Sequence, residues 1–171
     1  MKSRLAIAPL LALALLIAAV LVAPAANAAP AKPCSSSGLV IWVGPEAGGS
    51  AAGSAYDRIM LTNLSGSTCT VSGFPKVSAV NLQGAKVGAA ATQEPGQTVK
   101  AVKLAPGHSA VATLRIVDAL NFPKSKCKPT LVAGLRIGVP GGSGSKVAPL
   151  AFETCAVAST KTLSVGVVAA G

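Results

Sequence analysis

The chain has 171 residues with 15 Lys and Arg against 5 Asp and Glu, a formal net charge of +10, 18 Gly, 12 Pro, 4 Cys and only 3% aromatic residues. One His and no pair of cysteines two to four apart exclude a zinc site, and aromatic residues do not interleave with the lysines as stacking on nucleic acid would require. The length fits one folded unit burying roughly 70% of its unfolded surface, and the basic balance favours attraction to anionic surfaces.

The N-terminus opens on Lys2 and Arg4, continues without charge over 5–22 and reaches Ala26-Asn27-Ala28, a small-x-small site that signal peptidase accepts. Residues 1–28 read as a secretory signal peptide, and cleavage before Ala29 leaves 29–171 as a single β-sandwich domain. The rival reading is a transmembrane anchor, since the apolar run could nearly span a bilayer; Pro9, Pro24 and the alanine-rich exit favour cleavage. Cys34 follows Ala31-Lys32-Pro33, which is not the context that lipid attachment needs, and no second hydrophobic span follows. The mature product is expected to be soluble, monomeric and outside the cytoplasm.

Beyond that point the chain reads as short apolar, β-branched runs separated by Gly, Pro, Ser and Asn, the pattern of an all-β, immunoglobulin-like antiparallel sandwich. Strands are predicted over 39–43, 56–63, 77–82, 86–92, 99–104, 109–117, 131–139, 147–152 and 162–168. Over 131–139 the alternation puts Leu131, Ala133, Leu135, Ile137 and Val139 on the core face and Val132, Gly134, Arg136 and Gly138 on the wet face. Ala110, Ala112, Leu114 and Ile116 alternate with Val111, Thr113, Arg115 and Val117, and Leu163, Val165 and Val167 with Ser164 and Gly166, so these strands are expected to supply the two inner sheet faces. Pro106-Gly107 suits a type II turn and Gln83-Gly84 a hairpin end. The stretches 44–55 and 140–145 lack side chains that could anchor a core and read as mobile loops. Trp42, within a continuous apolar run, reads as a packing residue in preference to a ligand platform.

Cys34, Cys69, Cys127 and Cys155 all lie after the cleavage site, and an exported chain meets an oxidising compartment, so two disulfides are expected. Four cysteines allow three connectivities. Strand order favours Cys34 with Cys69 and Cys127 with Cys155, because each pair brackets two consecutive strands that an antiparallel turn would bring side by side.

Several segments together resemble a known family, the actinobacterial secreted domain of unknown function 4232. They are Gly53-Ser54-Ala55-Tyr56, Leu61-Thr62-Asn63, Ser67-Thr68-Cys69-Thr70-Val71-Ser72-Gly73-Phe74-Pro75, Leu104-Ala105-Pro106-Gly107-His108-Ser109-Ala110, Cys127-Lys128-Pro129, Leu135-Arg136-Ile137 and the late Cys155. The resemblance implies an immunoglobulin-like domain outside the cell and brings no catalytic residues. Its members often carry a lipid anchor, which the sequence before Cys34 does not provide.

Chemistry-bearing motifs are sparse. His108, the only imidazole that could activate a nucleophile, follows the Pro106-Gly107 turn, where an exposed loop side chain is expected. Ser125-Lys126-Cys127-Lys128 and Ser143-Gly144-Ser145-Lys146 match Ser-x-x-Lys, but neither is expected to open a helix and the companion motifs are missing. Gly44 to Gly49 have phosphate-loop spacing, yet Ser50-Ala51 stands where Lys and then Ser or Thr are needed. Glu46, Asp57, Glu94, Asp118 and Glu153 are dispersed, and a glycosidase pair among them would have to form in space. Asn63-Leu64-Ser65 fits a glycan acceptor, although in a bacterial chain Asn63 is expected to close a strand and start a turn.

The basic segment 124–128 is the most distinctive surface. On an extended backbone Lys124, Lys126 and Lys128 would point one way, pinned by Cys127, and Lys100 and Lys103 could join them. One reading is an anionic contact for cell-envelope polymer or lipid headgroups; the other is that edge lysines block sheet aggregation. The sequence therefore points to an exported, non-enzymatic binding or structural module of the cell envelope, with no cofactor or metal. A secreted hydrolase with a site built from dispersed residues is the alternative.

Overall fold

Strict alternation of buried and half-buried residues from Ser109 to Val117 makes this segment the centre of the larger sheet, as the period of two predicts. The computed structural model describes residues 31–171, so the signal-peptide reading of 1–28 lies outside the described residues. Strands follow in the order β1 (Leu39–Ala51), β2 (Ser54–Asn63), β3 (Cys69–Ser72), β4 (Lys76–Val80), β5 (Lys86–Ala90), β6 (Thr92–Gln93), β7 (Ala101–Leu104), β8 (Ser109–Val117), β9 (Pro129–Gly138), β10 (Ser145–Cys155), β11 (Leu163–Val165) and β12 (Ala169–Ala170). One α-helical turn, α1 (Lys124–Cys127), and two 3-10 turns complete the described residues. No helix among them is long and apolar enough to cross a membrane.

The six-stranded sheet runs β1-β2-β8-β11-β6 with β12 also on β8, and the four-stranded sheet runs β10-β9-β4-β5. A small β3-β7 ladder accompanies them. All pairings are antiparallel except β11 with β6. One hydrophobic cluster joins Ile59, Leu61, Leu114 and Val165 of the larger sheet to Val77, Ala79, Leu135 and Ile137 of the smaller. Each fully buried Leu or Ile contributes roughly 1.5–3 kcal/mol, so this shared interior holds the sandwich together.

Both expected disulfides are present, Cys34 with Cys69 and Cys127 with Cys155, at Cα separations of 4.9 and 4.4 Å. Antiparallel pairing of β1 with β2 opposes Leu39 to Asn63 and so returns the chain to Cys34. In β9 and β10 Cys155 pairs with Pro129, next to α1 and Cys127. The turns also follow their chemistry: Gly107 has φ +81° with His108 N–H donating to the Ala105 carbonyl at 3.0 Å, and Gly84 has φ +75° in the β4–β5 connection.

Four expectations are corrected. The stretch 44–55 is not a loop but a continuation of the β1–β2 hairpin, in which Ser50 pairs with Ala55 after an irregularity beyond Pro45. Main-chain pairing needs no core-anchoring side chain, and Gly49 lets the backbones approach where any Cβ would collide with the Tyr56 carbonyl. Along β9 the inward phase inverts: Leu131 is 68% exposed while Val132 is buried. Ala148 pairs with Leu135 but Phe152 pairs with Val132, so a one-residue register shift passes the inward role from odd to even positions. Val168, not Val167, enters the core beside Val165. Trp42 is 44% exposed, because Leu39 and Ile41 take the inward positions of β1 and leave Val40 and Trp42 outside. Its ring lies over Gly44, where a side chain would collide with it.

Asp57 shares the inward face of β2 with Ile59 and Leu61, at the less buried end of the strand. Burial raises its carboxyl pKa above the ordinary 3.8. Folding therefore disfavours the charged form, and the group costs stability above its folded pKa and nothing below the unfolded one. Asp57→Asn is expected to raise the unfolding free energy at pH 7 by less than about 1 kcal/mol, since solvent screens most of the effect. In denaturant melts across pH the advantage should shrink to zero as the pH falls through the carboxylate range; an advantage that persists at pH 2.5, below both values, would refute this origin.

Candidate functional site

The lysine segment takes a different form from the expected one. Pro123, with φ −56°, starts a single helical turn, and Lys128 closes it in the left-handed region at φ 51° with its N–H on the Lys124 carbonyl. Side chains advance by about 100° per helical residue, so Lys124 and Lys126 diverge instead of forming a row. All three lysines are exposed, while Cys127 is fully buried and pins the turn to β10 through its disulfide. Thr160 Oγ1 donates to the Lys126 carbonyl at 2.6 Å and fixes the turn from a second side. Lys100 and Lys103 line a different groove, beside Val167 and Val168.

The remaining sequence candidates are equally plain. His108 is exposed in its turn, with its backbone carbonyl accepting from Asn63 N–H at 3.0 Å. Ser143 and Lys146 lie on the turn into β10 and on β10 itself, and the Lys146 ammonium donates to the Leu39 carbonyl at 2.6 Å, tying the two sheets at their edge. Ser125 does lie in a helix, contrary to expectation, but that helix is the four-residue turn α1. Asp118 and Glu153 line one shallow depression with Phe152, and the Asp118 carboxylate accepts from Leu120 N–H at 2.9 Å as a turn cap. Glu94 accepts from the Ser164 hydroxyl. Among the described residues no cluster of three His, Cys, Asp or Glu could hold a metal.

Asn63 closes β2 as expected and does much more. Its side chain is fully buried; Nδ2 donates to the Ser67 and Leu104 carbonyls at 2.9 and 2.8 Å, and Oδ1 accepts from the Ser65 amide and hydroxyl at 2.9 and 2.7 Å. Glycan attachment would replace a hydrogen that Nδ2 donates and would need room beside a side chain that is fully buried.

What sequence reasoning missed lies on the outer face of the four-stranded sheet. Lys76 on β4, Lys86 on β5 and Arg136 on β9 line one groove with Ser78, Gln93 and Ser145, in a cavity of about 470 Å³ with no carboxylate in its wall. The ladder positions them: Ser78 pairs with Arg136, Lys76 with Gly138 and Val80 with Lys86. Leu135 and Ile137 are fully buried on either side of Arg136, which forces its side chain outward and holds its Cα in place. One guanidinium nitrogen, Nη2, donates to the Gly84 carbonyl at 2.8 Å, so the β4–β5 turn fixes the group's orientation. One guanidinium and two lysine side chains on the wall of a single groove offer charged donors to an oxyanion. The available sequence signal was only that Arg136 sits at an outward position between two core residues.

No curated protein and no solved structure is matched by the chain. Residues 34–169, which include both disulfides and every strand but the last residue of β12, match the family described as Domain of unknown function (DUF4232), and the chain belongs to that family.

Proposed function

We propose that the chain is an exported, non-enzymatic, immunoglobulin-like module of the actinobacterial cell envelope that contacts anionic envelope components as a monomer. The observation that carries this reading is the groove lined by three basic residues, Lys76, Lys86 and Arg136, and by no carboxylate. Two disulfides support placement in an oxidising compartment. Lys124, Lys126 and Lys128 add a second exposed region of positive charge around a pinned turn.

The test is retention of the mature protein on anionic and neutral envelope fractions at low and high salt. Retention is expected on the anionic fraction alone and should be lost at 1 M salt, where charges more than about 3 Å apart are screened. Changing Lys124, Lys126 and Lys128 to Ser should reduce retention in part. Binding that ignores both salt and fraction charge would overturn the reading.

A further inference from the structure

We infer that the groove on the outer face of the four-stranded sheet is a specific site for a phosphate ester, a phosphoryl group carried on a small polyol or sugar. The inference rests on the anionic-contact reading above and supplies its chemistry. Three basic residues, Lys76, Lys86 and Arg136, line the cavity. A carboxylate brings one negative charge and two acceptor oxygens, which leaves most of this field unanswered. A phosphate monoester brings nearly two charges and three strong acceptors, and so matches the set.

Arg136 gives the site its geometry. Its bond to the Gly84 carbonyl engages Nη2 and leaves the other N–H groups of the planar fork to approach two oxygens of one phosphoryl group. Lys76 stands two residues along β4 from Ser78, the cross-strand partner of Arg136, and Lys86 approaches from β5. Ser78 and Ser145 add hydroxyl donors, which remain useful to an ester after the cations have met its charge. Small residues, Gly138, Ala90 and Ala91, complete the lining. A Cβ at Gly138 would come within 3.2 Å of Lys76 Cβ, so the absence of a side chain keeps the passage open. A volume near 470 Å³ admits the phosphoryl group together with the unit it esterifies.

Calorimetric titration of the mature protein at constant ionic strength, with glycerol 3-phosphate and separately with acetate, provides the test. Saturable one-to-one binding of the ester is expected, with acetate weaker by about ten-fold or more because it lacks the second charge and third oxygen. Arg136→Lys keeps the charge and removes the fork, and should weaken the ester by about ten-fold. Lys76→Ser with Lys86→Ser should also weaken it, whereas Lys124→Ser, Lys126→Ser and Lys128→Ser together should leave it unchanged. Unchanged melting curves verify that the variants fold. Equal affinity for acetate, no saturation, or an Arg136→Lys titration that matches the unaltered protein would overturn the inference.

Vesicles with and without phosphatidic acid, whose headgroup is a phosphate monoester, separate the sources of the phosphoryl group. Retention abolished by Arg136→Lys assigns a lipid headgroup, and retention no greater than on neutral vesicles assigns a soluble or polymer-borne ester. The envelope contact and the ester site fail separately. Salt-sensitive retention on envelope fractions without ester saturation removes the site and leaves the envelope reading; saturation without such retention does the reverse.

Discussion

Replacing Cys34 and Cys69 together by alanine is expected to lower the unfolding free energy by roughly 3 to 4 kcal/mol, a large share of the 5–15 kcal/mol typical of a domain. The bridge closes a sequence separation of 35 residues, and opening it frees the unfolded chain to explore conformations that the crosslink forbids. The packing of the two sulfurs is lost as well, whereas the main-chain bonds of Cys34 remain available to an alanine. Cys34 is buried in the main core cluster, its N–H donates to the Thr70 carbonyl at 2.8 Å, and its carbonyl accepts from Ser143 N–H at 3.0 Å. The backbone around it is packed so closely that a side chain at Gly142 would collide with the Cys34 carbonyl. A thermal melt of the double variant should fall by roughly 10 °C. A decrease equivalent to less than about 1 kcal/mol would show that the ladder to Thr70 and Ser143, and not the crosslink, holds this end of the sandwich. Removing Cys127 and Cys155 should cost nearly as much by chain entropy, since their separation is 28 residues, although they pack in a satellite cluster with Ala119 and Phe122.

Asn63→Ala should be the most damaging change at a single non-cysteine position, at on the order of 3 kcal/mol. One amide satisfies two carbonyls and two donors from Ser65, Ser67 and Leu104, and the residue itself is fully buried. Its main chain is engaged too: the carbonyl accepts from Gly107 N–H at 2.7 Å, so β2, the β2–β3 turn and the turn before β8 meet at this one residue. Truncation removes a donor from the Leu104 carbonyl in a buried setting, and loss of a buried polar partner costs more than the loss of one exposed bond. Asn63→Asp should be at least as severe at neutral pH, because a carboxylate can only accept and would face two carbonyl oxygens. Urea denaturation of both variants checks this. If Asn63→Asp is milder than Asn63→Ala at pH 7 and gains no stability on acidification, the two donated bonds are not the source of the effect.

Local pattern revealed the elements whose determinants are local. The period of two along β8, the Pro-Gly turn before it and the hairpin end at Gly84 were all legible, as were the disulfides, because consecutive antiparallel strands bring flanking cysteines together. Features set by a partner strand were not. The phase inversion in β9 depends on a register shift against β10, and no window of β9 alone contains it. In β1 the run Leu39 to Val43 is apolar on both faces, so nothing in it says that Trp42 points outward. The turn at Pro123 defeated the extended reading of the lysine segment, where Pro123 itself was the signal for a helical start. The groove was illegible for a topological reason: β9 inserts beside β4 in the sheet order, and only that placement brings Arg136 to Lys76 and Lys86.

The position of Trp42 has a practical outcome. It is the chain's single tryptophan, half uncovered on the outer surface of the six-stranded sheet, across the core from the cationic groove. Intrinsic fluorescence therefore samples solvent at that surface already in the native state. Denaturation should shift its emission maximum only slightly, and acrylamide should quench it before the fold opens. Ester titrations should leave the indole signal silent, whereas any partner that settles on the opposite broad surface should shift it to the blue.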